Sequence, residues 1–280
     1  MSMDDKPAIV LFSGGWHTPE TYSKLTKALA AAGLDVHCPR NPSTHQIRPP
    51  TSSLAQDSEN MRSYVSNLID GGRRVVALGH SYGGQVMTNS LHGLGVDARK
   101  EKSLVGGVTD LIYLCAFALE EGGSCVYNPT SLLPSVSLTL APSIVFSKVK
   151  EMGHEELMPL AFDFAGDMTV LARDPRSQLV GQHYDDAEVE EYLNSLVLWN
   201  GQCMYDKIEH CAWREIPITY VYTLNDMTVP LDYQKSMVAA MEAAGRVLKT
   251  HELATGHCPN LTATKVVVSI CAEVVEGRKL

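Results

Sequence analysis

The sequence has no block of lysine or arginine. Its 23 basic residues are scattered among 32 acidic ones, for a formal net charge of -9. Without a basic stripe there is no electrostatic footprint for nucleic acid or an anionic membrane surface. Also missing is any apolar run near the ~20 residues that a membrane-spanning helix requires. The seven cysteines contain no C-x-x-C pair, and an odd, scattered set reads as reduced thiols. The opening "MSMDDKPAIVLF" is acidic and reaches only a short apolar run, and the closing "RKL" puts Arg278 where a peroxisomal tripeptide wants a small residue. A cytoplasmic protein is expected. The one metal-like string, "GHEEL", lacks a second histidine four residues after His154, so no metal or other cofactor is expected. The expected partner is a small molecule.

What is present is an alternation of strands and helices. "AIVLFSGG" (8 to 15) is a continuous apolar run ending in glycines, as suits a strand covered on both faces of a parallel sheet. Thr18 and Pro19 then start a helix with Tyr22, Leu25 and Leu29 on one face. The order continues as strand 35 to 39, helix 54 to 69, strand 74 to 80, helix 83 to 92 and strand 109 to 117. After a gap come strand 217 to 224, helix 231 to 244, strand 246 to 254 and helix 261 to 276. Such alternation predicts a mostly parallel, doubly wound α/β sheet with helices on both faces. Residues 118 to 216 break the rhythm with proline-rich stretches, helical pieces at 154 to 164 and 186 to 197, and several aromatics. They are expected to form a mostly helical cap between two neighbouring strands, leaving 1 to 117 and 217 to 280 as the core.

The chemistry-bearing stretch is "VVALGHSYGGQVM" (75 to 87), a strand that turns at Ser81 and enters a helix. A strand-to-helix turn this sharp needs small neighbours, and Gly79 and Gly83 supply them. The turn exposes the Ser81 hydroxyl at the carboxyl end of a sheet strand and aims the Tyr82 amide, at a helix N-terminus, at charge forming beside it. A serine needs a base and the base an orienter, in the chain order Ser, Asp/Glu, His. "ITYVYTLNDMTVP" ends a strand with Asp226, and "VLKTHELATGHCPNL" releases His257 from the last strand. His251 lies within that strand and cannot swing over the turn, His80 points away on the pleat, and Asn225 carries no charge for an imidazolium. The glycine-rich "FSGGWHTPE" offers a second oxyanion donor, the amide of Gly15, with Trp16 next in line. Trp16, His17 and His183 are candidate substrate contacts. Tyr127, Phe146, Phe162, Phe164 and Trp199 are candidate aromatics of the cap's inner wall.

With these pieces placed, the chain resembles the α/β-hydrolase superfamily, in the compact branch of plant methylesterases, hydroxynitrile lyases and fungal esterase-like proteins. "SGGWHTPETYSKLTKALAAAGLDV" is similar to that branch's oxyanion loop and first helix, "GHSYGG" to its elbow, "TLNDMTVPLDYQKSM" to its acid segment and "GHCPNL" to its histidine loop. The resemblance implies the α/β-hydrolase fold, with Ser81, Asp226 and His257 as nucleophile, orienter and base, and Gly15 and Tyr82 as oxyanion donors. In the lyases a threonine stands at the place of Gly14 and a lysine at that of Cys258, so cyanohydrin cleavage is disfavoured. The expected activity is hydrolysis of a carboxylic ester or lactone of a mid-sized hydrophobic compound. Its rivals are other chemistry on the same site (carbon–carbon bond hydrolysis, elimination or cyclisation of a polyketide-like compound) and a ligand-binding receptor without turnover.

Overall fold

The structure is a computed structural model that describes residues 6–125, 161–181, 184 and 186–277. Six strands, β1 (Ala8–Phe12), β2 (Val36–His37), β3 (Arg74–His80), β4 (Gly107–Leu114), β8 (Ile218–Thr223) and β9 (Leu248–Leu253), form one sheet in the order β2-β1-β3-β4-β8-β9. Every pairing in it is parallel. Among the described residues the α-helices are α1 (Ser23–Ala31), α2 (Leu54–Asp70), α3 (Tyr82–Ser90), α4 (Val96–Glu101), α5 (Asp186–Asn194), α6 (Leu231–Ala243), α7 (Pro259–Thr262) and α8 (Thr264–Glu276). No described helix is long and apolar enough to cross a membrane.

Side chains alternate across a strand, which explains why the continuous apolar run of β1 is buried throughout. Ile9 and Leu11 join Leu25 and Leu29 of α1 and Val267, Ile270 and Val274 of α8 on one face. Val10 and Phe12 join Met61, Val65 and Ile69 of α2 and Val86 and Met87 of α3 on the other. With both faces covered, no polar alternation survives in the central strands.

The register sets the functional edge. Phe12 pairs with Gly79, and His80 with Leu114, so β1, β3 and β4 end side by side. The loops leaving these strands, and those leaving β8 and β9, therefore converge on one rim, where ligands of open parallel sheets bind.

Several boundaries differ from the sequence-based expectation. β4 starts at Gly107 rather than 109, after Gly106 and Gly107 adopt positive φ, and stops before Cys115, whose own φ is 41°. The last helix divides at Ala263 into α7 and α8. α4 was not expected at all; six residues are too few for a periodic signal. Between the paired strands β4 and β8 the chain leaves the sheet, and there the described residues include a small antiparallel sheet of β5 (Phe162–Phe164), β6 (Thr169–Ala172) and β7 (Trp199–Asn200). Residues 162–164 are thus strand where helix was expected. The helical piece at 186 to 197 is present as α5, ending at Asn194.

Candidate active site

Ser81 sits between β3 and α3 with φ 54° and ψ -125°, backbone angles a non-glycine residue seldom adopts. The flanking glycines are dictated by contact. A Cβ on Gly83 would lie 2.0 Å from the Phe12 carbonyl oxygen, and one on Gly79 would meet the Gly84 Cα at 3.0 Å. Helix α3 returns so close beneath β1 that Gly83 has no room for a side chain, and so close to β3 that a side chain at Gly79 would press on the helix backbone.

Asp226 follows β8 and His257 follows β9, and the structure brings both to Ser81. His257 Nε2 is 2.8 Å from Ser81 Oγ, and His257 Nδ1 is 2.8 Å from Asp226 Oδ2. All three residues are buried. A carboxylate can only accept, so Nδ1 carries the ring proton and Nε2 offers its lone pair to the serine hydroxyl. Asp226 is held by four further donors: the Thr223 hydroxyl at 2.7 Å, the Gln234 amide at 3.4 Å, and the Thr228 and Val229 backbone amides, both at 2.8 Å. This cage fixes the orientation of the carboxylate and aims it at the imidazole.

Two other histidines flank the site, and their partners dictate tautomers as firmly. His80 Nε2 donates to the His257 carbonyl at 2.8 Å, so its Nδ1 accepts from the Tyr22 hydroxyl at 2.7 Å. That hydroxyl in turn accepts the Gly14 amide at 2.9 Å. His80 thereby ties the elbow, the loop after β1 and the His257 backbone together. Burial foremost, then the neighbouring His257 and His17, hold its pKa well below the ordinary value. His17 is buried too, and burial lowers its pKa to about 4. Its Nδ1 meets the Gly15 carbonyl at 2.5 Å and its Nε2 the Tyr192 hydroxyl at 2.6 Å.

The loop after β1 reaches the elbow, since a Cβ on Gly14 would be 3.1 Å from Ser81 Cβ. Among the described residues the Gly15 amide has no hydrogen-bond partner, and Tyr82, first in α3, has an amide with no intrahelical acceptor. A Cβ on Gly15 would fall 2.5 Å from the Trp199 ring. Trp16 is buried, its φ is 64°, and its indole donates to the Val170 carbonyl at 2.9 Å. Both Trp16 and His17 are therefore engaged by protein groups of the insertion. Phe162 stacks on Trp16 at 5.6 Å, and Trp199 meets Trp16 edge-on at 5.1 Å. His183, His154, Tyr127 and Phe146 lie outside the described residues.

Sequence reasoning missed Asp57, Ser43 and Tyr192. Asp57 of α2 is fully buried and accepts from the Tyr82 hydroxyl at 2.8 Å, from the Ser43 amide at 2.8 Å and from the Ser43 hydroxyl. Its only mark in the sequence is an acidic residue on the apolar face of an amphipathic helix, beside Met61 and Val65.

A parallel sheet of this order, with a strained serine turn and with acid and histidine loops at later strand ends, defines the α/β-hydrolase fold. The sequence profile described as "Alpha/beta hydrolase family" matches residues 9–270, and the chain belongs to that family. It is similar to the alpha/beta hydrolase nvfD of Aspergillus novofumigatus, 27% identical over 94% of each chain. It is also similar to the probable hydrolase R7 of a Phoma species, 25% identical over 96% of this chain and 98% of that one. Among solved structures it resembles polyneuridine aldehyde esterase, with a TM-score of 0.68 and 16% identity over 96% of this chain and 99% of that one.

Proposed function

We propose that the protein is a serine hydrolase that cleaves a carboxylic ester or lactone of a mid-sized hydrophobic molecule through an acyl-enzyme. The observation that carries this reading is the unbroken Ser81–His257–Asp226 hydrogen-bond chain, at 2.8 Å for each link. Ser81 Oγ attacks the carbonyl carbon while His257 Nε2 takes the hydroxyl proton, and Asp226 holds the resulting imidazolium in place. The tetrahedral oxyanion lies against the Gly15 and Tyr82 amides, each contributing roughly 3 kcal/mol of barrier lowering. His257 then protonates the departing alcohol oxygen, and a water activated by the same nitrogen releases the acid and restores Ser81.

The described residues of the segment 118 to 216 act as a cap over this site. Aromatic Phe162, Trp199 and Trp16 gathered against the loop after β1 favour an apolar substrate over a sugar or nucleotide. Relatives named as hydrolases, and a structural neighbour named an esterase, support the same class.

The test is turnover of a panel of p-nitrophenyl esters from acetate to bulky aryl acids, together with aryl lactones, by the native protein and by Ser81→Ala. Native turnover that vanishes in the variant is expected. Failure on every ester and lactone, or activity that survives Ser81→Ala, rejects the reading.

A further inference from the structure

Cys258, Tyr192 and His17 form a second run of buried, hydrogen-bonded titratable groups. They come from three separate segments: the residue after His257, helix α5 of the insertion, and the loop after β1. Tyr192 Oη lies 2.7 Å from Cys258 Sγ and 2.6 Å from His17 Nε2, and His17 Nδ1 lies 2.5 Å from the Gly15 carbonyl. The carbonyl can only accept, so Nδ1 bears the proton; Nε2 then accepts from the Tyr192 hydroxyl, which is left to accept the Cys258 thiol. One arrangement of hydrogens satisfies the whole run. Burial, which pushes His17 down to about 4 and Cys258 upward, keeps both neutral at ordinary pH.

We propose that His17, steered by Tyr192 of the insertion, is a positioning residue that pins the Gly15 carbonyl and thereby, together with the backbone bond at Gly14, fixes both torsions of Gly15 and so aims the Gly15 amide at the oxyanion. This inference rests on the acyl-transfer reading above. A peptide unit is planar, with its carbonyl and its N–H on opposite sides. Pinning the Gly15 carbonyl toward His17 therefore turns the Trp16 N–H away from it. The preceding peptide, which carries the Gly15 N–H, is held by the His17 backbone amide donating to the Gly14 carbonyl at 3.4 Å, so the side-chain and backbone bonds of His17 together set the two torsions of Gly15. Gly15 has no side chain to restrict its backbone, so its orientation must be imposed by partners. Those partners belong largely to the insertion: Trp16 donates its indole N–H to Val170, and its carbonyl accepts the Val197 amide at 2.9 Å. Cap placement and oxyanion geometry are thus one coupled property.

The experiment compares His17→Asn, His17→Ala, Tyr192→Phe and the double variant His17→Asn/Tyr192→Phe, reading kcat, KM and the rate of inactivation by a fluorophosphonate. An asparagine amide nitrogen stands where Nδ1 stands and can still donate to Gly15, but cannot reach Tyr192. His17→Ala is expected to lose about 30- to 100-fold in kcat and in inactivation rate with KM within about threefold, part of the ~10²–10³ that a lost oxyanion donor costs. His17→Asn should recover to within about fivefold of native. Tyr192→Phe should cost about five- to tenfold in the native background and nothing further in His17→Asn. Nitrogen-15 shifts should report His17 as the neutral Nδ1–H tautomer at pH 6, a reading that does not require His17→Ala to fold. A native protein that reacts with the fluorophosphonate while His17→Asn is as slow as His17→Ala overturns this inference alone. So does Tyr192→Phe slowing both backgrounds equally, or His17 found as the Nε2–H tautomer. A native protein that does not react overturns it together with the acyl-transfer reading.

Discussion

Two buried carboxylates, Asp226 and Asp57, are tied to the Ser81 turn through His257 and Tyr82, and their surroundings supply different numbers of donors. Asp226 receives five donors, counting His257, Thr223, Gln234 and the amides of Thr228 and Val229. Asp57 receives three, two of them from Ser43 and one from Tyr82, and burial raises its pKa from 3.8 to about 6 despite them. A nearby Asp206 pushes in the same direction. Donor count separates the two. The Asp226 turn supplies two free backbone amides and a neighbouring imidazole, whereas Asp57, on a helix face with one loop residue and one phenol as partners, is a carboxyl that is neutral for much of the acid range.

The contrast breaks most sharply if Asp226 loses its charge. Asp226→Asn should lower kcat/KM by about 10⁴-fold with little change in melting temperature, because the amide no longer fixes the Nδ1–H tautomer of His257. Steady-state kinetics beside a thermal melt measures both.

The opposite substitution, Asp57→Asn, should act on stability and its pH dependence. With a folded pKa near 6 and an unfolded value of 3.8, the native state holds a proton that the unfolded state has released. Stability therefore falls as pH rises through this window, by about 3 kcal/mol once pH exceeds 6. Asp57→Asn removes that slope. Chemical denaturation at pH 4 and pH 7 should show the variant gaining about 2 kcal/mol on the native protein between the two, with kcat changed by less than about tenfold. An identical pH slope in both proteins would mean that Asp57 is charged throughout.

Two smaller changes sharpen the comparison. Thr223→Val removes one donor of the five at Asp226 and should cost about 1 to 1.5 kcal/mol of transition-state stabilisation, or roughly tenfold in kcat. Tyr82→Phe removes one of the three donors at Asp57 but leaves the Tyr82 amide in place. It should cost about 1 kcal/mol of stability above pH 6, less at pH 4, and under about fivefold in kcat. Rate loss at Thr223 and stability loss at Tyr82 are thus expected to separate cleanly.

What could be read from the chain divides along the same lines as its contacts. The central strands were legible because two-sided burial leaves unbroken apolar runs, as in Ala8–Phe12 and Val75–Leu78. The serine turn was legible because Gly83 and Gly79 answer a steric demand of the local backbone. The small sheet of the insertion was not, since strands of two to four residues are too short for an alternation to register. Nor were the partners of Asp57, His17 and His80. Their partners lie far along the chain, with His17 and Tyr192 separated by 175 positions and His80 and Tyr22 by 58. A histidine in sequence looks alike whether it takes a proton from serine or is locked neutral by a carbonyl. Only the identity of the facing atom distinguishes His257, aimed at a hydroxyl and a carboxylate, from the two rings beside it.

The most direct measurement is peptide mapping of the protein after reaction with a fluorophosphonate. A single adduct on Ser81, absent from Ser81→Ala and from His257→Ala, is the expected result. An adduct on another residue, or none on the native protein, would contradict the assignment of Ser81 as a nucleophile activated by His257.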